Sequence, residues 1–409
     1  MDKLVVTRRQ DKVCTAVISE GRISQLLLEP DGAASLLGNI YIGKVQKVVG
    51  NINAAFIDLG PGMTGYYSLG ERTGAGKLKA GDEVVVQVSR DGVKTKAPVL
   101  TENLSFTGRY CVLTAGKSGI GFSAKISDPA YKSRLRPQLE AVLADGIAPK
   151  AGAVPAAGIA PKAGAVPADG TSLGVIVRTN AVKVEDHIIL KELGALKAAW
   201  SRLKAEASCR TCYSCLYRAL PGYITAIRDS FSGSLEQIIT DVPAYYEELK
   251  RYLELNQPED AEHLVFYEDP LLPLAGLYSL EKAFEKALSK NVWLKSGGYL
   301  VIEPTEAMTV IDVNTGKYSG KKKMQETICK INMEAAGEIG RQLRLRNLSG
   351  IIIVDFIDMD REEDRRALLA YLGEIVSKDP VKTTVVDMTR LNLVELTRKK
   401  VRKPLHEQI

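Results

Sequence analysis

TVIDVNTGKYSG, residues 309–320, places an acidic side chain at the end of an apolar stretch. The residues at 309–311 are β-branched, which is typical of a strand, and Asp312 follows them directly. Burying a carboxylate beside an apolar strand is unfavourable by several kcal/mol unless a partner compensates for the lost hydration. Asp312 is therefore expected to have a binding partner.

A second stretch, IIIVDFIDM at 351–359, has the same design, with Asp355 directly after four aliphatic residues. Functional groups collect at strand ends in layered α/β folds, so Asp312 and Asp355 are expected to converge. Carboxylate oxygens suit Mg²⁺, which keeps most of its waters and takes one or two protein carboxylates. Asn314 shares a face with Asp312 in an extended segment and can orient that acid.

The residues alone leave a second interpretation open, in which each aspartate only caps a neighbouring loop or helix. We prefer that interpretation for Asp358 and Asp360, and we interpret Asp360 with Glu363 as a capping box for the helix that follows. Lys317 and the lysines at 321–323 are interpreted as charge that faces phosphate, and a solvated helix start is the alternative.

The composition is that of a soluble globular protein with two to four domains. The 409 residues are 45% hydrophobic and 25% charged, and the net charge is +6. The start lacks the apolar region of a secretory signal and no apolar run approaches the roughly 18 residues of a membrane helix, so a cytoplasmic protein is expected. The three histidines are scattered, which argues against histidine-based catalysis and a histidine-rich zinc site.

The pattern of the first hundred residues predicts short strands separated by turns. Residues 1–30 predict a meander, and residues 38–69 with 80–100 predict a small barrel. Aromatic residues interleaved with lysines favour a platform for single-stranded nucleic acid, although any one ring could instead belong to the barrel core. A tandem Ala/Pro/Gly repeat at 146–169 is predicted to be an extended insertion without a function.

The rest of the chain predicts helices followed by alternating strands and helices. Residues 181–207 carry apolar side chains at helical spacing, and 234–242 and 242–253 are predicted as short helices. Residues 277–294 are predicted as an amphipathic helix that leads into a strand hairpin, and strands and helices then alternate. This alternation predicts a layered α/β domain.

Four segments together resemble the ribonuclease E/G family. They are GNIYIGKVQKVVGNINAAFIDLG (38–60), LGVIVRTN (173–180), the run from IDVNTGKYSG to GIIIVDFIDMD (311–360), and MTRLNLVELTRKKVRKPL (388–405). The resemblance covers nearly the whole chain apart from the repeat. It implies a cytoplasmic endoribonuclease that processes and degrades single-stranded RNA with Mg²⁺, for which Mn²⁺ can substitute, and that leaves a 5′-phosphate and a 3′-hydroxyl.

The same resemblance implies roles for particular residues. Asp312 and Asp355 match the two metal-binding carboxylates, and Asn314 matches the asparagine that supports the first. Arg178 and Thr179 match a sensor of the 5′-monophosphate, a role that suits an arginine fork with a hydroxyl. The RNA-contacting positions of the family's OB-fold are matched by Phe56, Tyr66 and Lys96, with tyrosine at Tyr66 where phenylalanine is expected.

The implied fold is multidomain, of mixed α+β and α/β class. An RNase-H-like subdomain without its active site spans 1–34 and 224–287, and an OB-fold RNA-binding barrel is inserted at 35–115. A 5′-sensor region follows at 116–223, and a DNase-I-like catalytic subdomain occupies 288–409.

The chain departs from the family pattern in its cysteines. Family members commonly carry a CPxC pair that shares zinc between protomers, and this sequence has none, which puts a zinc-linked dimer and the usual tetramer in doubt. A homo-oligomer of another kind remains open. Instead, CRTCYSC at 209–215 could supply three thiolates from Cys209, Cys212 and Cys215 to a zinc ion, and unreactive reduced thiols are the alternative.

Two further functions compete with the endoribonuclease. One is a non-catalytic RNA-binding protein that keeps the barrel and the sensor, and the intact pattern of Asp312, Asn314 and Asp355 argues against it. The other, more remote, is a nuclease that acts on DNA, because two-carboxylate metal sites also cut DNA.

Overall fold

The computed structural model describes residues 2–32, 36–72, 76–92, 96–144, 172–230, 235–316 and 324–409. The tandem repeat at 146–169, Lys317 and the lysines at 321–323 lie outside the described residues. The chain divides into two compact units. Unit 1 comprises Met1–Ala33 and Gly233–Ile409, and unit 2 comprises Ala34–Ser232.

Unit 1 begins with the predicted meander. Its three antiparallel strands are β1 (Asp2–Arg9), β2 (Lys12–Ser19) and β3 (Arg22–Pro30). The turn between β2 and β3 is tight, since Glu20 and Gly21 both have positive φ, of 53° and 73°. Two consecutive residues of this kind form the turn that matches the twist of the flanking strands.

Unit 2 opens with a closed five-stranded barrel. Its strands are β4 (Ile40–Val49), β5 (Ala54–Gly60), β6 (Met63–Ser68), β7 (Glu83–Arg90) and β8 (Val99–Thr101). The strand order is β4-β5-β6-β8-β7, and β7 pairs again with β4, which closes the sheet. Only β6 and β8 run parallel within this ring. The barrel is OB-like and confirms the predicted barrel.

A second layer of unit 2 follows the barrel. Its elements are β9 (Leu104–Thr107), β10 (Cys111–Ala115), β11 (Gly119–Phe122), α1 (Pro129–Ala144), β12 (Leu173–Val177), α2 (Asp186–Cys209), β13 (Cys215–Tyr217) and α3 (Gly222–Asp229). The sheet order is β11-β12-β10-β9, and side chains of α1 and α2 complete its apolar core around Leu113 and Leu193. Strand β13 pairs with β4 and extends the barrel sheet.

On return to unit 1 the chain completes the first sheet. The elements are β14 (Leu235–Thr240), α4 (Pro243–Asn256), β15 (Leu264–Phe266), α5 (Leu274–Leu277) and α6 (Leu280–Leu288). The sheet order is β15-β14-β1-β2-β3, with β14 parallel to both neighbours. The helix predicted at 234–242 was wrong. Its β-branched run Ile238–Thr240 is buried between two strands, where such side chains pack well.

The remainder of unit 1 is a six-stranded sheet with helices on one face. Its elements are β16 (Asn291–Trp293), β17 (Tyr299–Pro304), β18 (Met308–Asn314), α7 (Met324–Leu345), β19 (Gly350–Asp355), α8 (Glu362–Ser377), β20 (Thr383–Met388) and β21 (Leu393–Arg398). The order is β16-β17-β18-β19-β21-β20, and β18 and β19 are the parallel pair. This confirms the predicted alternation of strands and helices.

Alternate residues of this sheet divide it into two faces. Ile311, Val354 and Leu396 are buried in one cluster with Ile339 of α7 and Leu372 of α8. Residues of opposite parity are partly exposed and form what we call the open face. Asp312, Asn314 and Asp355 belong to the open face.

The capping box predicted for α8 was wrong. The helix begins at Glu362, its N-cap is Arg361, and no side chain caps it. Asp360 is therefore one residue too far from the helix to serve as its cap. Among the described residues, no helix is both long and apolar enough to cross a membrane.

Candidate active site

Asp312 and Asp355 are direct neighbours across two parallel strands. Strand β18 pairs with β19 so that Asp312 stands opposite Asp355, each at or near the carboxyl end of its strand. Neighbouring strands lie about 4.8 Å apart and opposed side chains share a face. The structure therefore brings together the two acids that the sequence paired.

Asn314 holds Asp312 in a defined orientation. Its side-chain Nδ2 donates a hydrogen bond of 2.8 Å to Oδ2 of Asp312. The amide thereby fixes one oxygen of the Asp312 carboxylate. This is the positioning contact expected from the two-residue spacing.

The electrostatics of the pair favour a bound cation. Partial burial raises the pKa of Asp355, and the nearby charges of Asp312 and Asp358 raise it further. Asp358 is fixed in turn by a 3.0 Å hydrogen bond from Nδ2 of Asn392. A cation beside these acids would offset their repulsion and stabilise the ionised carboxylates.

The ligand set fits Mg²⁺ better than zinc. Within the described parts of the chain, no three His, Cys, Asp or Glu side chains are grouped to hold a metal ion. A structural zinc site needs four protein ligands, whereas Mg²⁺ needs only one or two carboxylates with waters and substrate phosphates. Asp312 and Asp355 meet the second requirement.

Arg178 and Thr179 lie together at the end of β12 in unit 2. Nη1 of Arg178 donates to the carbonyl of Gly108 at 2.6 Å and lies 2.8 Å from Oδ1 of Asp229. The hydroxyl groups of Thr179 and Ser123 are 3.0 Å apart. The arginine fork is thus held in place next to a hydroxyl pair.

Asp229 has two guanidinium partners. Arg228 contacts both of its oxygens, at 2.9 and 3.2 Å, in addition to the contact with Arg178. Burial alone would raise the pKa of Asp229, but the charges and hydrogen bonds of Arg228 and Arg178 outweigh it and lower that pKa. Arg178, Arg228 and Asp229 together carry one net positive charge.

Phe56 and Tyr66 form a pair on the outside of the barrel. They are register partners on β5 and β6, with ring centroids 6.1 Å apart in an edge-to-face arrangement. Nζ of Lys47 lies 5.0 Å from the Phe56 ring centroid. Lys96 is exposed. Tyr41 and Tyr67 are buried instead and belong to the barrel core, so the predicted nucleic-acid platform stays a prediction for Phe56 and Tyr66.

Comparison with known proteins identifies the chain's relatives. A sequence model described as the Ribonuclease E/G family matches residues 105–401. Ribonuclease G of Salmonella typhimurium (strain SL1344) is 32% identical over 420 residues, which covers 98% of this chain and 80% of that protein. The chain belongs to the ribonuclease E/G family.

Other members of the ribonuclease E/G family are similarly close. Ribonuclease G of Escherichia coli (strain K12) is 32% identical over 422 residues, covering 98% of this chain and 81% of that protein. Ribonuclease E of Nostoc sp. (strain PCC 7120 / SAG 25.82 / UTEX 2576) is 31% identical over 422 residues, covering all of this chain and 57% of that protein. The similarity therefore includes the barrel as well as the carboxylate pair.

The three cysteines of CRTCYSC are spread over three local environments. Cys209 ends α2, Cys212 lies in a loop with its sulfur 3.9 Å from the carbonyl of Ile42, and Cys215 begins β13. All three are free thiols, and burial raises the pKa of Cys212. Zinc binding by this segment stays a prediction, and fewer than about 0.2 zinc ions per purified chain would contradict it.

Two residues that support the candidate sites of this ribonuclease E/G member, Asn332 and Asp229, were not predicted from the sequence. Asn332 is fully buried on α7 and exchanges two hydrogen bonds with the backbone of Ile357, at 2.8 and 3.1 Å, which fixes the loop after Asp355. An asparagine within the apolar stripe of a helix is a signal that could have marked it. Asp229 gave no such signal, because it is far from Arg178 in sequence.

The turn before β17 packs against the segment after Asn314. Glu334 accepts hydrogen bonds from the backbone amides of Lys295 and Ser296, at 2.6 and 3.1 Å. Gly316 has φ of 66°, and a Cβ atom there would collide with the carbonyl oxygen of Gly297. Only glycine allows this close packing, so Gly316 has a structural reason to follow the Asp312 strand.

Proposed function

We propose that this chain is an endoribonuclease that cuts single-stranded RNA at Asp312 and Asp355 with the help of Mg²⁺. The observation that carries the proposal is the direct opposition of these two acids on β18 and β19. The family relationship supports it, because the relatives are named ribonuclease G and ribonuclease E. The proposed products carry a 5′-phosphate and a 3′-hydroxyl.

Each residue of the site has a distinct part in this proposal. Asp312 and Asp355 would hold Mg²⁺, with Mn²⁺ as a substitute, and the ion when bound would activate water and stabilise the charge that develops on the phosphate. Asn314 keeps Asp312 oriented through its 2.8 Å hydrogen bond. Asn332 keeps the chain after Asp355 in place.

We further propose that Arg178 and Thr179 recognise the 5′-monophosphate of the substrate. The net positive charge around Asp229 suits a terminal phosphate. The Thr179 hydroxyl, which shares a hydrogen bond of 3.0 Å with the Ser123 hydroxyl, adds a polar group that can contact the phosphate. Asp229 would act as a positioning residue for Arg178.

The barrel is proposed to hold the RNA strand. The half-buried pair of Phe56 and Tyr66 offers ring surface to bases, and Lys47 and the exposed Lys96 add positive charge. Stacking of this kind accepts any unpaired base and excludes bases that are held in a duplex.

The finer architecture belongs to the same proposal. The sheet order β15-β14-β1-β2-β3 supports an RNase-H-like subdomain, and the six-stranded sheet supports a DNase-I-like catalytic subdomain. We propose that the enzyme acts in the cytoplasm on ribosomal and messenger RNA, and that any homo-oligomer forms without a CPxC zinc link.

The test compares Asp355→Asn and Asp312→Asn with wild type on one single-stranded RNA, with and without Mg²⁺. Removing a metal ligand forfeits several kcal/mol of transition-state stabilisation, so cleavage is expected to fall about 10³-fold or more. RNA binding is expected to remain. Asp360→Asn is the matched control, because Asp360 is an exposed acid in the loop that follows Asp355.

Each competing function has its own outcome in this assay. Full cleavage by either aspartate variant would contradict the two-carboxylate site. RNA binding without any cleavage by wild type would favour the non-catalytic alternative, and equal rates on matched RNA and DNA would favour the DNA-acting one.

The sensor is tested separately with Arg178→Ala. We expect a smaller preference for 5′-monophosphorylated over 5′-hydroxyl RNA, while cleavage of the 5′-hydroxyl substrate continues. Arg202→Ala, which changes an exposed arginine of the same unit, is the control. An unchanged preference in Arg178→Ala would show that the site does not read the 5′ end.

A further inference from the structure

Two aromatic rings lie on the open face of the six-stranded sheet. Trp293 on β16 is 70% exposed, and its register partner on β17 is Tyr299. The ring centroids are 5.1 Å apart and the planes are tilted by 47°. The chain contains only two tryptophans, and the other, Trp200, is 5% exposed in the core of unit 2.

The strand register places these rings one row from the carboxylates. Trp293, Tyr299 and Asn314 form one cross-strand row. Val301, Asp312 and Asp355 form the next row on the same face. With about 4.8 Å between strands and about 7 Å between rows, Tyr299 lies about 8 Å from Asp312 and Trp293 about 12 Å from it.

The turn between the two rings is fixed relative to the strand that carries Asp312. The amide of Leu294, next to Trp293, donates to the carbonyl of Gly298 at 2.8 Å, next to Tyr299. Glu334 binds the amides at the tip of the same turn. The close packing of Gly316 against Gly297 then ties this turn to the segment that follows Asn314.

We propose that Trp293 and Tyr299 form a stacking platform for a base of the RNA next to the phosphodiester that is cut. This inference rests on the proposed function, since it extends the Asp312 and Asp355 site. A nucleotide whose phosphate lies at the two acids can place a neighbouring base over the rings. Only an unpaired base can leave its partner strand to stack in this way, so the platform selects single-stranded substrate.

The alternative is that Trp293 has only a structural role. β16 is the edge strand of its sheet. A large side chain on an edge strand can simply shield the sheet from other chains. A merely protective tryptophan would not respond to RNA bases, which gives the test its discriminating readout.

The first experiment uses the fluorescence of Trp293 in the full chain, with EDTA present to prevent cleavage. A short oligouridylate is expected to quench the emission of wild type, because stacking on indole quenches it. An abasic oligomer of the same length is expected to leave the emission unchanged. In Trp293→Phe the quenching by oligouridylate should disappear, since the buried Trp200 remains as the only tryptophan.

The second experiment measures steady-state cleavage with Mg²⁺. Loss of one base stack of about 1–3 kcal/mol predicts that Trp293→Ala raises KM about 5- to 150-fold, with a smaller change in kcat. Trp293→Phe should restore most of the affinity. Leu271→Ala is the control, because Leu271 is an apolar side chain of the same unit that is 92% exposed.

Equal quenching of the fluorescence of wild type and Trp293→Phe would overturn the proposed platform. An unchanged KM in Trp293→Ala would overturn it as well. Failure of the proposed function gives a different result, because wild-type protein would then leave RNA intact. The fluorescence experiment needs no cleavage and decides the platform in that case too.

Discussion

Asp312 and Asp355 carry like charges on adjacent strands, and their repulsion contributes to the raised pKa of Asp355. Two neighbouring carboxylates destabilise a fold when no cation lies between them. Natural active sites often retain such unfavourable contacts because the bound ligand reverses them. The stability of this site should therefore depend on the metal.

We predict that Mg²⁺ raises the Tm of wild type and leaves that of Asp355→Asn unchanged. A ligand at 100 times its Kd stabilises a fold by about 2.7 kcal/mol, provided that it binds only the native state. Without metal, the variant should be at least as stable as wild type, since one like charge is removed. Thermal unfolding with Mg²⁺ and with EDTA measures both effects.

Asp360→Asn should respond to Mg²⁺ as wild type does. A Tm of wild type that is indifferent to Mg²⁺ would argue against metal binding by the pair.

Asn314 is predicted to affect catalysis through Asp312. In Asn314→Ala the 2.8 Å hydrogen bond to Oδ2 is lost, and the carboxylate is free to rotate. Such supporting contacts are worth about 10- to 100-fold in metal affinity or activity. We expect a loss of that size and a higher Mg²⁺ requirement in a Mg²⁺ titration of the cleavage rate.

Asn256→Ala is the control for Asn314, because it removes an exposed asparagine elsewhere in unit 1. Wild-type rates at every Mg²⁺ concentration in Asn314→Ala would remove Asn314 from the site.

Asp229 is predicted to make part of the stability of unit 2 depend on pH. Its pKa is lowered in the folded protein, so the unfolded chain binds its proton more tightly. The contribution is therefore present above the ordinary carboxyl pKa and is lost as pH falls through the lowered value. Asp229→Asn should be less stable than wild type at pH 7, by about 1–3 kcal/mol, because it removes the charged partner of two guanidinium groups.

The difference between Asp229→Asn and wild type should shrink in strong acid, where the wild-type carboxyl is also neutral. Denaturant unfolding at pH 7 and below pH 3 measures it. A constant difference across this range would contradict the assignment.

At the scale of elements, the packing of the turn at 294–298 is predicted to depend on the glycine at position 316. Gly316→Ala places a Cβ against the carbonyl of Gly297 in a backbone region that disfavours side chains, at φ of 66°. We expect a loss of about 1–3 kcal/mol in the free energy of unfolding and reduced cleavage.

Gly194→Ala is the contrasting change. Gly194 lies in α2, and a Cβ atom at this position would have no neighbouring atom within 4 Å. Alanine should therefore stabilise the helix by about 0.5–1 kcal/mol. Equal stability of the two variants in urea would show that the Gly316 contact is not restrictive.

The secondary-structure elements and their pairing could be predicted from the sequence only in part. Asp312 and Asp355 could be paired because each follows an apolar strand, and strand ends collect functional groups. The helix predicted at 234–242 was wrong because residues 238–240 fill a central strand whose partner, β1, lies more than 200 residues earlier. The local sequence pattern of a strand does not indicate a pairing partner at that distance along the chain.

The positions of Trp293 and Asp229 could not be predicted from the sequence for a related reason. Trp293 gains its position from pairing across β16, β17 and β18, and nothing around it in sequence indicates that Asp312 is near. Asp229 meets Arg178 only because the end of α3 lies next to the end of β12 within one unit. These contacts depend on tertiary structure, whereas the strands, the barrel and the long helices can be recognised by their period and their turn residues.

At the scale of the whole molecule, unit 2 contains two apolar cores of its own. We predict that residues 34–232 expressed alone fold and unfold cooperatively, because a domain with its own core can fold by itself. Urea unfolding followed by far-UV and near-UV circular dichroism measures this. Residues 233–409 without 1–33 lack three strands of their first sheet and should not form it.

A gradual, non-cooperative transition of the 34–232 fragment would contradict its independence. Leu113→Asp in the same fragment is the control for a disrupted core, since Leu113 is fully buried.

The pairing of β1 with β14 has a consequence for synthesis on the ribosome. Leu4 cannot pair until Ile238 has been made, and at about 5–20 residues per second the delay is about 10–50 s. Throughout that time the meander leaves the ribosome with an unpaired edge, which is a site for aggregation or chaperone binding. Unit 2 can fold in the interval, and the sheet with the two acids is made last. The nascent chain would therefore hold RNA, if its barrel binds it, before it could cut any.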